Sequence, residues 1–183
     1  MRTLALLSCL AAPAGAQDAC PPVPDTRAEK AEIIRQVQAA PSRAIGQRTA
    51  AGLWDLWLRA PDARAQAMLD RGAEAIRVGD LLGAIDVLDR LVGYCPDYAE
   101  GWNQRGFARF LARDFAAALP DLDRALALRP RHTGALTGRA LTLIALGRDA
   151  EAQEDLRAAL RLNPWLPERA LLKGEAPAPD VDL

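Results

Sequence analysis

Apolar residues along this chain recur at the three-and-four spacing of amphipathic helices, in short runs broken by proline, glycine or aspartate. The first run carries Ile33, Ile34 and Val37. With Asp25 or Thr26 as a cap, the spacing predicts a helix to about Ala40, ended by Pro41. Ser42 can cap a second helix to about Arg59, loaded with Leu53, Trp54, Leu56, Trp57 and Leu58. So heavy an apolar load cannot face water, so this helix is expected to pack on its successor as half of an N-terminal two-helix cap. Asp62 then caps ARAQAMLDRGAEAIRV, which stops at Gly79-Asp80, and LLGAIDVLDRLV follows.

From there the pattern repeats. Pro96, Pro130 and Pro164 stand 34 residues apart, as do Ala84, Ala118 and Ala152, and Gly72, Gly106 and Ala140. Arg71, Arg105 and Arg139 keep the same step, and Leu88, Leu122 and Leu156 keep it too. A fixed period of this length marks a helix-turn-helix array. The units are 65–98, 99–132 and 133–166, with inner turns at Gly79-Asp80, Arg113-Asp114 and Gly147-Arg148. Small residues in both helices allow close approach of their axes, and each proline ends a second helix. No unit can bury its apolar face alone, so the three share one core. Pro120 falls inside a helix, removes the bond to the Ala116 carbonyl and is expected to bend it.

Charge narrows the function. The formal net charge of −1 across 183 residues gives no basic footprint for nucleic acid. The start, MRTLALLSCLAAPAGAQD, reads as a secretory signal with Arg2, the apolar run Leu4 to Ala12 and the small-x-small site Ala14-Gly15-Ala16. Residues 1–16 are therefore expected to be removed, leaving a periplasmic or secreted protein that begins at Gln17. The apolar run falls well short of the roughly 20 residues of a membrane span. A rival reading takes Leu6-Leu7-Ser8-Cys9 as a lipoprotein box acylated at Cys9.

Cleavage after Ala16 leaves Cys20 and Cys95 as the only cysteines. In an oxidising compartment they have one possible bridge. The other reading leaves Cys20 in a Pro-rich stub and Cys95 filling a turn, and both stay open. No CxxC, CxxCH, Cys/His cluster or Gly-rich phosphate loop is present, so neither metal nor cofactor is expected. Past residue 16 the only serine is Ser42 and the only histidine His132. The repeat places them in different layers, so no Ser-His-Asp arrangement and no enzyme activity is expected. Asp121 and Asp123 sit two helix positions apart, which is poor geometry for a metal. The segment 17–61 is thus an extended stretch plus the cap, and 167–183 a short last helix with an acidic, Pro-rich tail expected to be disordered.

Trp102, Arg105-Gly106, Arg109, Ala118, Leu122 and Pro130 of the middle unit resemble the tetratricopeptide repeat pattern. The likeness covers about residues 65–166, with a looser match at 42–61. Arginine at 71, 105 and 139 departs from the family's leucine; pairs Arg105–Asp121 and Arg139–Asp155 would employ it. The resemblance implies an all-α solenoid of antiparallel helix pairs, non-catalytic, whose first helices line a concave groove for a protein or peptide partner. On that convention the groove displays Leu69, Ile76, Asn103, Phe107, Phe110, Leu141 and Ile144, with Glu100, Gln104, Gly134 and Thr137 among them. No lysine lies in the three units, so the family's lysine-based hold on a carboxyl terminus does not carry over. Two alternatives remain: a structural cell-envelope protein without a groove ligand, and a groove filled by the chain's own Ile33–Val37 helix.

Overall fold

A computed structural model describes residues 19–178. The signal segment 1–16 with Cys9, and tail residues 179–183, lie outside them. Among the described residues the elements are α1 (Arg27–Gln38), α2 (Arg43–Trp57), α3 (Ala63–Val78), α4 (Leu81–Tyr94), α5 (Ala99–Leu111), α6 (Phe115–Leu128), α7 (Thr133–Ala145) and α8 (Asp149–Leu162). A 3-10 turn, Pro167–Leu171, follows, and no strand occurs among these residues.

Local chemistry sets the boundaries. Asp62, Asp80 and Asp114 accept hydrogen bonds from the backbone N–H groups of Ala65, Gly83 and Ala117, and Ser42 accepts from Ile45. Gly79 and Gly147 turn the chain in the left-handed region (φ 80° and 74°). Arg113 takes the equivalent place in the middle unit at φ 62°, a conformation that L side chains adopt at a cost of about 1–2 kcal/mol. α6 runs through Pro120 as one helix.

Three helix pairs, α3–α4, α5–α6 and α7–α8, stack in order. The recurring residues occupy equivalent places: Ala84, Ala118, Ala140 and Ala152 are fully buried, as are Leu88, Leu122 and Leu156 to within 1%. A Cβ on Gly72 would come within 2.7 Å of Leu88, and one on Gly106 within 2.9 Å of Leu122. Glycine at these positions is a packing requirement.

The arginines bind the stack together. Arg105 clasps Asp121 of its own unit through its Nε–Nη2 edge (2.9 and 2.5 Å) and reaches Asp89 of the preceding unit through Nη1 at 2.6 Å. Arg139 repeats the arrangement with Asp155 (2.7 and 2.8 Å) and Asp123 (2.8 Å). Each partner lies 16 residues before or after its arginine, so the ladder follows the repeat. Asp121 and Asp123 thus serve different arginines. Burial works against the Arg105 charge, but the hydrogen bonds it donates to Asp121 and then Asp89 prevail and raise its pKa. Arg71 has valine at the position of Asp121 and donates instead to the Ala67 carbonyl.

The N-terminal pair departs from the expected placement. It does not extend the stack on α3; it runs along the edge that carries the loops between units. Val23 packs near Cys95 in the first-unit core. α1 then leads to the last unit, where Gln38 donates to the Arg161 carbonyl (2.7 Å) and the Trp165 indole donates to Val37 (2.8 Å). α2 returns: Gly46 lies under Trp165, and the Trp57 carbonyl accepts from the Tyr98 hydroxyl at 2.8 Å. Ile34, Leu53 and Trp57 share a core cluster with Leu122, Leu126, Leu136 and Leu162. Leu53 and Trp57 of α2 are buried, but against α6, α7 and α8, while Trp54 stays 41% exposed. Those helix ends and loops present a long apolar seam, whereas α3 can offer only the end of one unit.

Candidate functional site

The hairpin positions Trp54 and Trp57 against the first turns of α5 and α7. Trp57 stacks on His132 with ring centroids 4.0 Å apart. His132 is 1% exposed, and its Nδ1 accepts from Ala135 N–H, capping α7. That leaves the ring proton on Nε2, which donates to Glu100 at 2.7 Å. The other Glu100 oxygen accepts from Asn103 (3.1 Å) and Gln104 (2.6 Å). Glu100 stands in the first turn of α5, where the helix dipole favours a carboxylate. A buried acid is thereby fully engaged by three donors. Burial, and then the nearby Glu100 charge, raise the Tyr98 phenol far above its ordinary pKa and keep it a donor to Trp57.

Both His132 nitrogens are occupied, and Ser42 caps α2 at its own N-terminus, so the structure does not assemble them into a nucleophile and base. No group of three metal-ligating side chains converges among the described residues. No described helix is long and apolar enough to cross a membrane.

Beside Trp54 a hollow of about 250 Å³ opens between α5 and α7. It brings together Asn103, Phe107, Phe110 and Leu141 of the expected groove, along with Gln104 and Thr137. Trp54 and Glu168 complete it, and neither was expected there. Phe107 is exposed and its face is open, whereas Asn103 is buried and committed to Glu100. Leu69 is corrected: at 1% exposure it belongs to the core between α3 and α4 and offers no contact surface. Ile76 is half-buried against that same core, and Ile144, though exposed, does not line the hollow. Cys20 and Cys95 come within bonding distance, with Cα atoms 5.2 Å apart.

Sequence reasoning missed the Glu100–His132 pair. Its signal was present: Tyr98, His132 and Leu166 stand 34 apart, and histidine is the polar member of an otherwise apolar inter-unit position.

The seating of the hairpin has a direct test. A Cβ on Gly46 would fall 2.1 Å from the Trp165 ring. Gly46→Ala is expected to force the indole out, break its bond to Val37 and cost about 1–3 kcal/mol by overpacking. Hydrogen exchange should accelerate in α1 and α2 while α3–α8 keep their protection. Unchanged exchange in α1 would show that the hairpin is held elsewhere.

No family model matches the chain. A TPR repeat-containing protein of Rhizobium etli is 32% identical over 93 residues, covering 51% of this chain and 46% of the relative. Tetratricopeptide repeat protein 36 of Bos taurus is 32% identical over 123 residues, covering 64% of this chain and 65% of the relative. The matches therefore span less than two thirds of these curated relatives. Among solved structures, the first TPR of Spaghetti (RPAP3) bound to the HSP90 peptide SRMEEVD superposes with a TM-score of 0.58. It is 27% identical, covering 59% of this chain and 86% of that one.

Proposed function

Because the chain belongs to the tetratricopeptide repeat family, we propose that it is an exported, non-catalytic interaction module that holds a segment of a partner protein against α5 and α7. The observation that carries this reading is the hollow beside Phe107, a mostly apolar cavity of about 250 Å³ left open once α2 has covered the loop edge of the groove. The partner segment enters that open half, with Phe107, Phe110 and Leu141 as the apolar contacts and Gln104 and Thr137 as polar handles. The RPAP3 domain's peptide is not carried over, since no lysine occurs in residues 65–166 to meet a carboxyl terminus.

Export follows from the signal-like residues 1–16, and the approach of Cys20 to Cys95 supports an oxidising compartment. Intact mass of the exported protein separates a start at Gln17 from acylation at Cys9.

The test of the groove uses Phe107→Asp, because Phe107 is 43% exposed and its loss spares the core. Leu82→Asp on α4, at 81% exposure, is the control. In affinity capture from the exported fraction, Phe107→Asp is expected to weaken partner retention by about 2 kcal/mol, roughly thirtyfold, while Leu82→Asp retains it. Equal retention by both variants, with both folded, would remove the hollow from the interaction.

A further inference from the structure

Between α1 and the loop joining α6 to α7 lies a second cavity, of about 440 Å³. Four cations line it, Arg27, Lys30, Arg129 and Arg131, together with an apolar wall of Ala31, Leu128 and Pro130 over the buried Ile34 and Trp57. Among the described residues no carboxylate belongs to the lining. This volume is within the range of small-molecule sites, which combine apolar walls with a few convergent polar groups.

Lys30 and Arg129 are the cations there without an ion pair among the described residues. Arg27 holds Asp25 at 2.7 Å outside the cavity. Arg129 donates to the Leu128 carbonyl. Glu100 lies behind His132 and is spent on its three donors. The Lys30 pKa falls below the ordinary lysine value, because burial and then Arg129 disfavour its charge, against the longer-range pull of Asp25 and Glu29. Two cations from segments about a hundred residues apart thus line one wall, and Asp25, the acid within electrostatic reach of both, is already paired with Arg27. In a chain of net charge −1 this is a local concentration of positive charge, not a general excess.

We propose that this cavity binds a small organic carboxylate, its anionic head between Lys30 and Arg129 and its hydrocarbon body against Ala31, Leu128 and Pro130. The apolar wall selects such an anion over inorganic phosphate, which has no body to bury. The site is independent of the hollow at Phe107 and goes beyond the interaction role.

Octanoate is the probe, titrated into the full exported chain and followed by ligand-observed NMR and calorimetry. It should bind at least tenfold more tightly than octanamide, and inorganic phosphate should not displace it. Lys30→Met with Arg129→Met, which keeps the apolar stems, should reduce octanoate to the octanamide level with circular dichroism and melting unchanged. Single Lys30→Gln and Arg129→Gln variants supply the same comparison should the double variant misfold. Phe107→Asp should leave octanoate binding untouched, which separates this site from the groove. Equal binding of octanoate and octanamide, or undiminished binding by the folded cation variants, would overturn the proposal. Tighter binding of the peptide Ac-Leu-Glu-Leu-NH2 than of octanoate would also overturn it, by making a protein segment the carboxylate's source.

Discussion

Asp121→Ala is expected to be the most damaging charge deletion in the chain, costing about 3–5 kcal/mol. Its side chain is 3% exposed and faces Arg105 and Arg109, which are 12% and 20% exposed. Arg105 holds it through two parallel bonds and Arg109 adds a third at 2.8 Å. Deleting the acid leaves two cations in a partly dry environment with only the half-exposed Asp89 to share between them. For a chain of this size the melting midpoint should fall by about 10 °C. Asp123→Ala is the internal comparison, because Asp123 is 53% exposed and its pair with Arg139 contributes about 0–1 kcal/mol. If thermal melts show the two variants equally stable, the ladder does not rest on Asp121.

Removal of the Cys20–Cys95 link should have an effect of similar size. A Cys20–Cys95 bridge would close a loop of 75 residues, and the chain-entropy model assigns such a loop about 4 kcal/mol. Cys95→Ala, or reduction of the wild type, should lower the melting midpoint by about 10 °C. Cys95 is 2% exposed within the first-unit core, so the alanine variant also loses some packing; reduction alone isolates the bridge. Locally, hydrogen exchange should rise first in the segment before α1, which the bridge ties to the end of α4. Thiol labelling of the unreduced exported protein is the direct check: two reactive thiols would show that no bridge forms.

The solenoid was legible because its rule is periodic. Gly72, Gly106 and Ala140 announced close helix approach, and the structure places Leu88 and Leu122 where a side chain would collide. Arg105–Asp121 and Arg139–Asp155 followed from their common spacing, and the structure adds the links back to Asp89 and Asp123 at the same interval. The candidate groove was legible only in part. Phe107, Phe110 and Leu141 meet at the hollow, but Leu69 fell to the core, since helical position alone does not say which neighbour covers a leucine.

The amino-acid order by itself determined the helices, their pairing and the equivalence of every thirty-fourth residue, because these depend on local propensity and on contacts between adjacent units. Only the tertiary structure decided where α1 and α2 lie, that His132 meets Glu100 beneath Trp57, and that Lys30 and Arg129 share a cavity. Apolar content states how much of α2 must be buried. Where it is buried depends on which surface elsewhere offers the larger complementary seam, and that surface exists only once the three units have stacked.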